Sequence, residues 1–155
     1  MRPEVARMEI GLGRAAEIDE WMGLVRRVRD NFPGLETEEA LEAHRETVLA
    51  FMDGNAAIRA KSGGRMVGIL LFARAEQMLC FLAVDPACRR RHIAEQMVTY
   101  MLTFLDPQKE VVVTTYREGA PEGAAARAFY KRMGFAEGRL TEEFGSPVQE
   151  FVLKR

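Results

Sequence analysis

Ile18, Trp21, Met22, Val25 and Val28 recur at three- and four-residue spacing, the apolar stripe of an amphipathic helix. Phe32-Pro33-Gly34 ends that run, because proline cannot continue a helix and glycine releases the chain. Thr37 is an N-cap for a second helix, with Glu38 and Glu39 set against its positive end. That helix carries Leu41, Val48 and Met52 on its apolar face and stops at Asp53-Gly54. Upstream of both helices, Val5 to Gly11 fits a short edge strand. After Gly54 the period changes. Ala56 to Lys61 and Arg65 to Arg74 read as two strands joined through Ser62-Gly63-Gly64. Met78 to Val84 is an unbroken apolar run closed by Asp85-Pro86, which predicts a central strand covered on both faces. From Ile93 a helical stripe of Ala94, Met97, Val98, Met101, Leu102 and Leu105 runs to Asp106-Pro107. Glu110 to Tyr116 is β-branched and strand-like, and Ala124 to Met133 is a helix with Gly134 in the place of a left-handed C-cap. Phe135 onward and Pro147 to Leu153 supply two last strands. The expected order is strand, two helices, three strands, helix, strand, helix, two strands.

Composition narrows the class. A chain of 155 residues without repeats or low-complexity linkers fits a single domain spanning residues 1–155. With 22 Lys and Arg against 23 Asp and Glu, the net charge of -1 argues against a broadly basic nucleic-acid binder. A local basic patch at Arg89, Arg90 and Arg91 with Lys131 and Arg132 lacks interleaved aromatics, so no nucleic-acid partner is expected. No apolar run approaches the ~20 residues of a membrane span, so no membrane partner is expected either. Met1-Arg2-Pro3-Glu4-Val5 lacks the apolar core of a secretory signal, which predicts a cytoplasmic protein. Cys80 and Cys88 are too few for a disulfide framework and have no partner pair for a metal site.

Candidate chemistry begins where the apolar run of Leu82-Ala83-Val84 breaks at Pro86, passes through Arg89, Arg90 and Arg91, and enters a helix. The first-turn N–H groups of a helix have no internal partners and lie at the positive end of its dipole. Such a start binds phosphate or pyrophosphate, and arginines add charge-assisted bonds. The same residues could equally be a solvated basic turn before an ordinary helix. The residues alone leave both readings open.

A second segment bears on the choice. Ala126-Arg127-Ala128-Phe129-Tyr130-Lys131-Arg132-Met133-Gly134-Phe135 lies in a helix that ends at glycine. Together the two segments resemble the GCN5-related N-acetyltransferase (GNAT) family. Its Arg/Gln-x-x-Gly-x-Gly/Ala signature aligns with Arg89 through Ala94, and its Ala-x-x-Phe-Tyr-x-x-x-Gly-Phe segment with Ala126 through Phe135. The resemblance implies an α+β fold, a single domain with a central, mostly antiparallel mixed sheet of about six to seven strands flanked by helices. It implies acetyl-CoA as donor, with Leu82, Ala83 and Val84 pairing the pantetheine arm. The N–H groups from Arg89 or Arg90 through Arg91, His92 and Ile93 to Ala94 would form the pyrophosphate cradle, with Glu95 and Phe129 also at the cofactor. Tyr130 would protonate the departing thiolate. Direct attack by an amine leaves Cys80 and Cys88 without a nucleophilic role. A homodimer is common in the family, but no segment marks an interface.

The sequence departs from that pattern at three places. His92 stands where the signature usually has its first glycine; a Cβ there could crowd the pyrophosphate, although an ordinary helical conformation would still aim the N–H groups at it. Met78 stands where some members carry a catalytic Glu, leaving Glu76, Glu118, Glu142, Glu143 or ordered water as proton acceptors. His44, near the apolar face of the second helix, reads as a packing residue. Gly123 stands where many members have Asn. The stretches 32–39 and 141–146, which flank the acceptor side in this fold, mix carboxylates with aromatics and suit a cationic amine. The expected activity is therefore acetyl transfer to a primary amine of a small cationic metabolite. Protein lysine or N-terminal amines are an alternative acceptor, and a non-catalytic acyl-CoA sensor is an alternative role.

Overall fold

The computed structural model describes residues 8–88 and 92–155. Arg89, Arg90 and Arg91, and the first residues of the expected edge strand, lie outside the described residues. The elements follow the expected order: β1 (Met8–Leu12), α1 (Ile18–Val28), α2 (Glu38–Asp53), β2 (Ala57–Ser62), β3 (Arg65–Ala73), β4 (Met78–Val84), α3 (Ile93–Leu102), β5 (Val111–Tyr116), α4 (Ala124–Arg132), β6 (Ala136–Glu143) and β7 (Ser146–Leu153). The hydrogen-bonded strand order is β1-β2-β3-β4-β5-β7-β6. β1–β2, β2–β3, β5–β7 and β6–β7 pair antiparallel, and β4–β5 pair parallel. This is the α+β architecture that the sequence implies.

Contacts divide the chain into two compact units, one made of the chain up to Phe72 with Phe81–Phe104, the other of Ala73–Cys80 with Leu105–Arg155. In the first, α1 buries Ile18, Trp21, Met22, Leu24, Val25 and Val28, and α2 buries Leu41, Val48 and Met52. They join Ala57, Met66, Ile69, Leu71 and Ala83 in one apolar cluster, with Phe32 and Phe81 packed against it. Each fully buried aliphatic side chain of this kind contributes about 1.5–3 kcal/mol relative to exposure. The cap of α2 is as expected: the Thr37 hydroxyl accepts from the Ala40 N–H at 3.0 Å.

Two expectations need correction. The strand covered on both faces is β3, in which Met66 to Phe72 are all buried, and not β4. In β4 only Leu79 and Ala83 are buried; Phe81 packs with Ala83 against the α1–α2 cluster, while Cys80 is exposed and Met78, Leu82 and Val84 stay half-open. Alternation therefore gives β4 one packed face and one partly open face. The helix from Ile93 ends at Leu102, earlier than the stripe through Leu105 predicts. There the Thr103 hydroxyl donates to the Tyr100 carbonyl at 2.7 Å, offering the backbone a local partner in place of another helical turn.

In the second unit, β5 pairs with β7 along its whole length, from Val111 opposite Leu153 to Tyr116 opposite Val148. The start of β4 is fixed by Gln77, whose side chain donates to the Asp106 carbonyl at 3.2 Å and accepts from the Asp106 N–H at 2.8 Å. Helix α4 ends in a Schellman motif: Phe135 N–H bonds the Tyr130 carbonyl at 2.9 Å, Gly134 N–H bonds Lys131 at 3.0 Å, and Gly134 has φ 98°.

Candidate functional site

The first unit carries the β4-to-α3 connection. Asp85, buried at 3% exposure, shapes it. Its N–H donates to the Val67 carbonyl at 2.8 Å, and one carboxylate oxygen accepts from the Ala87 N–H at 3.0 Å. The other oxygen meets Arg27 at 3.2 Å and Arg65 at 3.4 Å. The chain is thus clamped where it leaves the open-faced strand. Sequence reasoning saw Asp85 only as a strand stop; an Asp bonding the N–H two residues on is a turn signal that would have flagged it.

His92 begins α3 and does not keep an ordinary helical conformation: φ is 59° and ψ 25°, the left-handed region. That geometry gives the physical reason for a glycine at this signature position, since a Cβ there costs roughly 1–2 kcal/mol. The ring is exposed and its Nδ1 lies 3.1 Å from Glu95 Oε2. No side chain caps the first turn among the described residues. By contrast, α1 and α4 each continue directly from a 3-10 turn. Of the other expected cradle residues, Ile93 is buried, Ala94 half-buried and Glu95 exposed; Leu82, Ala83 and Val84 lie on the last residues of β4. Arg89, Arg90 and Arg91 are outside the description.

The second unit carries α4. Tyr130 is buried against Phe129, Phe135 and Phe151, with ring centroids 5.4, 5.6 and 6.1 Å away. Burial pushes its phenol well above the usual range, so the group keeps its proton. Arg127, one turn earlier, is equally buried and donates to the Tyr116 carbonyl at 2.8 Å, Gln149 Oε1 at 2.8 Å and Glu137 Oε1 at 3.0 Å. The sequence reading passed over this residue because an arginine on a short helix usually faces water. Gly123 precedes α4 where Tyr116 leaves no room: any Cβ would overlap the tyrosine side chain. An Asn here would need Tyr116 to move.

The proton-acceptor candidates separate. Glu76, Glu118 and Glu142 are exposed. Glu143 is half-buried, and with Met78, Cys80, Thr114 and Phe144 it lines a cavity of about 330 Å³. His44 packs on Phe81 at 5.0 Å, and Phe81 stacks on Phe32 at 4.4 Å. Its Nε2 is buried with no partner among the described residues, and burial lowers its pKa, favouring the neutral ring. In the 32–39 stretch the carboxylates serve local structure: Glu36 accepts twice from the Gly34 N–H at 3.0 and 3.1 Å, and Glu38 pairs with Arg26 at 2.7 Å. The acidic mouth expected there is in part a set of internal caps and ion pairs.

The sequence model of the acetyltransferase (GNAT) domain matches residues 53–137, more than half of the chain and the segment that holds β4, α3 and α4. The chain belongs to the GNAT family. This GNAT protein is an N-acetyltransferase with acetyl-CoA as its donor. Its fold is similar to that of a GNAT acetyltransferase from Bacillus cereus ATCC 10987, with TM-score 0.76, 18% identity and coverage of 96% of this chain and 98% of that one. It is similar also to the PaiA N-acetyltransferase from Thermoplasma acidophilum in complex with coenzyme A, at TM-score 0.71, 15% identity and coverage of 96% and 99%. A third similar fold is RimL, a ribosomal L7/L12 α-N-protein acetyltransferase in complex with coenzyme A, at TM-score 0.68, 13% identity and coverage of 96% and 93%. At these identities the likeness concerns the fold. No curated protein matches the chain in sequence. The described residues contain no helix long and apolar enough to cross a membrane and no cluster suited to a metal ion.

Proposed function

We propose that this GNAT enzyme transfers acetyl directly from acetyl-CoA to a primary amine of a small cationic metabolite, as one cytoplasmic domain spanning residues 1–155. The observation that carries the reading is the start of α3, which no described side chain closes and which enters through a left-handed residue. Open N–H groups at a helix start suit the pyrophosphate of coenzyme A. Arg89, Arg90 and Arg91 add charge to it, and the N–H groups of His92, Ile93, Ala94 and Glu95 continue the cradle. The half-open face of β4 at Leu82 and Val84 suits the pantetheine arm, to which Ala83, buried on the other face, would offer only its backbone. Phe129 supplies an apolar wall on α4.

Acetyl-CoA supplies the acetyl group as a thioester. The amine nitrogen, once neutral, attacks the carbonyl carbon; the C–N bond forms, the C–S bond breaks, and the sulfur leaves as thiolate. Tyr130 serves as the hydrogen-bond donor to that sulfur. Its burial suits the role in one respect, because the phenol stays protonated across the working pH range. The same burial makes it a weaker acid than a free phenol, so it stabilises the thiolate chiefly through the hydrogen bond.

Tyr130→Phe tests this assignment. The phenylalanine keeps the ring packing, so acetyl-CoA binding should persist while turnover falls by about 10²-fold. Turnover at the wild-type level at matched pH would remove Tyr130 from the chemistry. The product should carry one acetyl group per coenzyme A thiol released.

A further inference from the structure

We infer that Glu143 receives the ammonium of the acceptor and takes its proton, and that Phe144 forms the wall that selects the acceptor's chain. The inference rests on the direct-transfer reading above and adds the residues of its acceptor half. Among the described residues lining the cavity of about 330 Å³, Glu143 is the only carboxylate. The other walls are Met78, Cys80, Thr114 and Phe144. Partial desolvation of its sulfur, with the Glu76 and Glu143 charges, pushes the Cys80 thiol up, which keeps it a neutral wall. A cationic nitrogen entering this space therefore meets the Glu143 carboxylate among weakly polar side chains, with the Glu76 charge also reaching Cys80.

The carboxylate is held in place. The Thr114 hydroxyl donates to Glu143 Oε2 at 2.9 Å. The two residues are not ladder neighbours, since Thr114 lies opposite Glu150 and Glu143 opposite Ser146. The bond is thus a tertiary tie that fixes the hairpin tip over the cavity. A carboxylate accepts several hydrogen bonds, so this one leaves capacity for an ammonium.

The turn itself is a second observation. β6 and β7 are joined by two residues, Phe144 and Gly145, with φ 52° and 78°. Two-residue turns with both φ values positive favour Asn or Asp followed by Gly. A phenylalanine at the first position is a strained choice, and such strain concentrates at ligand clamps. What the turn gains is a fully exposed ring at the lip of the cavity. Its face attracts a cation and its body covers an apolar chain. The site therefore suits a primary ammonium on a short alkyl or arylalkyl chain. Met78, where the sequence lacks a carboxylate on β4, shares the cavity with Glu143.

In the reaction, the ammonium gives one proton to Glu143 and the freed lone pair attacks the thioester carbonyl. The nitrogen's second proton ends on the coenzyme A sulfur, and Glu143 returns its proton to solvent. The test assays acetylation of n-butylamine, 1,4-diaminobutane, 2-phenylethylamine and a peptide with a free N-terminus by wild type, Glu143→Gln, Glu143→Asp and Phe144→Ala. At least one small amine should be acetylated. Glu143→Gln should lower its kcat/KM about 10²-fold, with Glu143→Asp between the two. Phe144→Ala should raise KM with kcat nearly kept. All three variants should keep the melting-temperature rise on adding acetyl-CoA. Glu143→Gln within twofold of wild type on every acetylated amine would overturn the inference. So would acetyl-CoA binding without acetylation of any small amine, or acetylation of the peptide alone. A wild type that neither binds acetyl-CoA nor forms N-acetyl product would instead overturn the underlying reading.

Discussion

At the start of α2, the Thr37 hydroxyl takes the Ala40 N–H at 3.0 Å, and Glu38 and Glu39 occupy the first turn. At the start of α3, His92 holds a left-handed backbone, and no described side chain closes the turn. Both helices belong to the same unit and bury apolar faces of similar kind. The difference lies in what satisfies their free N–H groups. α2 takes its cap from its own sequence. Among the described residues, no side chain takes the first-turn N–H groups of α3, and in the function proposed above that start receives the pyrophosphate of acetyl-CoA.

That contrast can be broken from either side. The largest effect is expected from His92→Asp, which places a carboxylate at the open start and should weaken acetyl-CoA binding at least tenfold by calorimetry, about 1.4 kcal/mol. Thr37→Ala removes the closed start instead. It should cost about 1 kcal/mol of stability in denaturant unfolding and leave acetyl-CoA affinity unchanged. Loss of affinity in Thr37→Ala would mean that the two helix starts are not separable in function. His92→Gly relieves the left-handed Cβ and should raise stability by up to about 1 kcal/mol, less what glycine gains in unfolded-chain entropy, with cofactor affinity kept. A fall in affinity would show that the imidazole or its contact with Glu95 assists the anion.

The smallest effect concerns His44. Burial holds its folded pKa below the ordinary 6.5, so the unfolded chain binds more protons once the pH falls below that value. Its contribution is fully present above about pH 6.5 and is lost on acidification towards the folded value. Because the residue is only part-buried, the slope should stay well under the ~1.4 kcal/mol per pH unit of a full proton. His44→Phe should flatten the slope in a melting-temperature series from pH 7 to pH 5.

The closed start was fully legible: a Thr three residues before the N–H that it caps is a local device, as is Gly134 at the end of α4. The apolar stripes of α1 and α2 were equally plain, because a helix face is written at fixed spacing. The assignment of the doubly covered strand failed for a physical reason. β3 and β4 are both apolar runs, and which of them keeps an open face depends on what packs there, not on their own composition. The resemblance marked His92 as standing in a glycine's place but not its left-handed backbone, since an ordinary helical conformation was expected there. The tie from Thr114 to Glu143 joins residues far apart in sequence, and the burial of Arg127 depends on Tyr116, Glu137 and Gln149 converging on one point. Neither has a local signature.

The most direct measurement is thermal unfolding of the purified protein with and without acetyl-CoA. At a ligand concentration of ~100 times Kd, binding should add about 2.7 kcal/mol and raise the melting temperature clearly. A shift of that size would be the signature of an open α3 start taking the pyrophosphate despite the Cβ of His92. An unchanged melting temperature at saturating acetyl-CoA would contradict the account at its centre, because the helix start would then be open to solvent and closed to the cofactor.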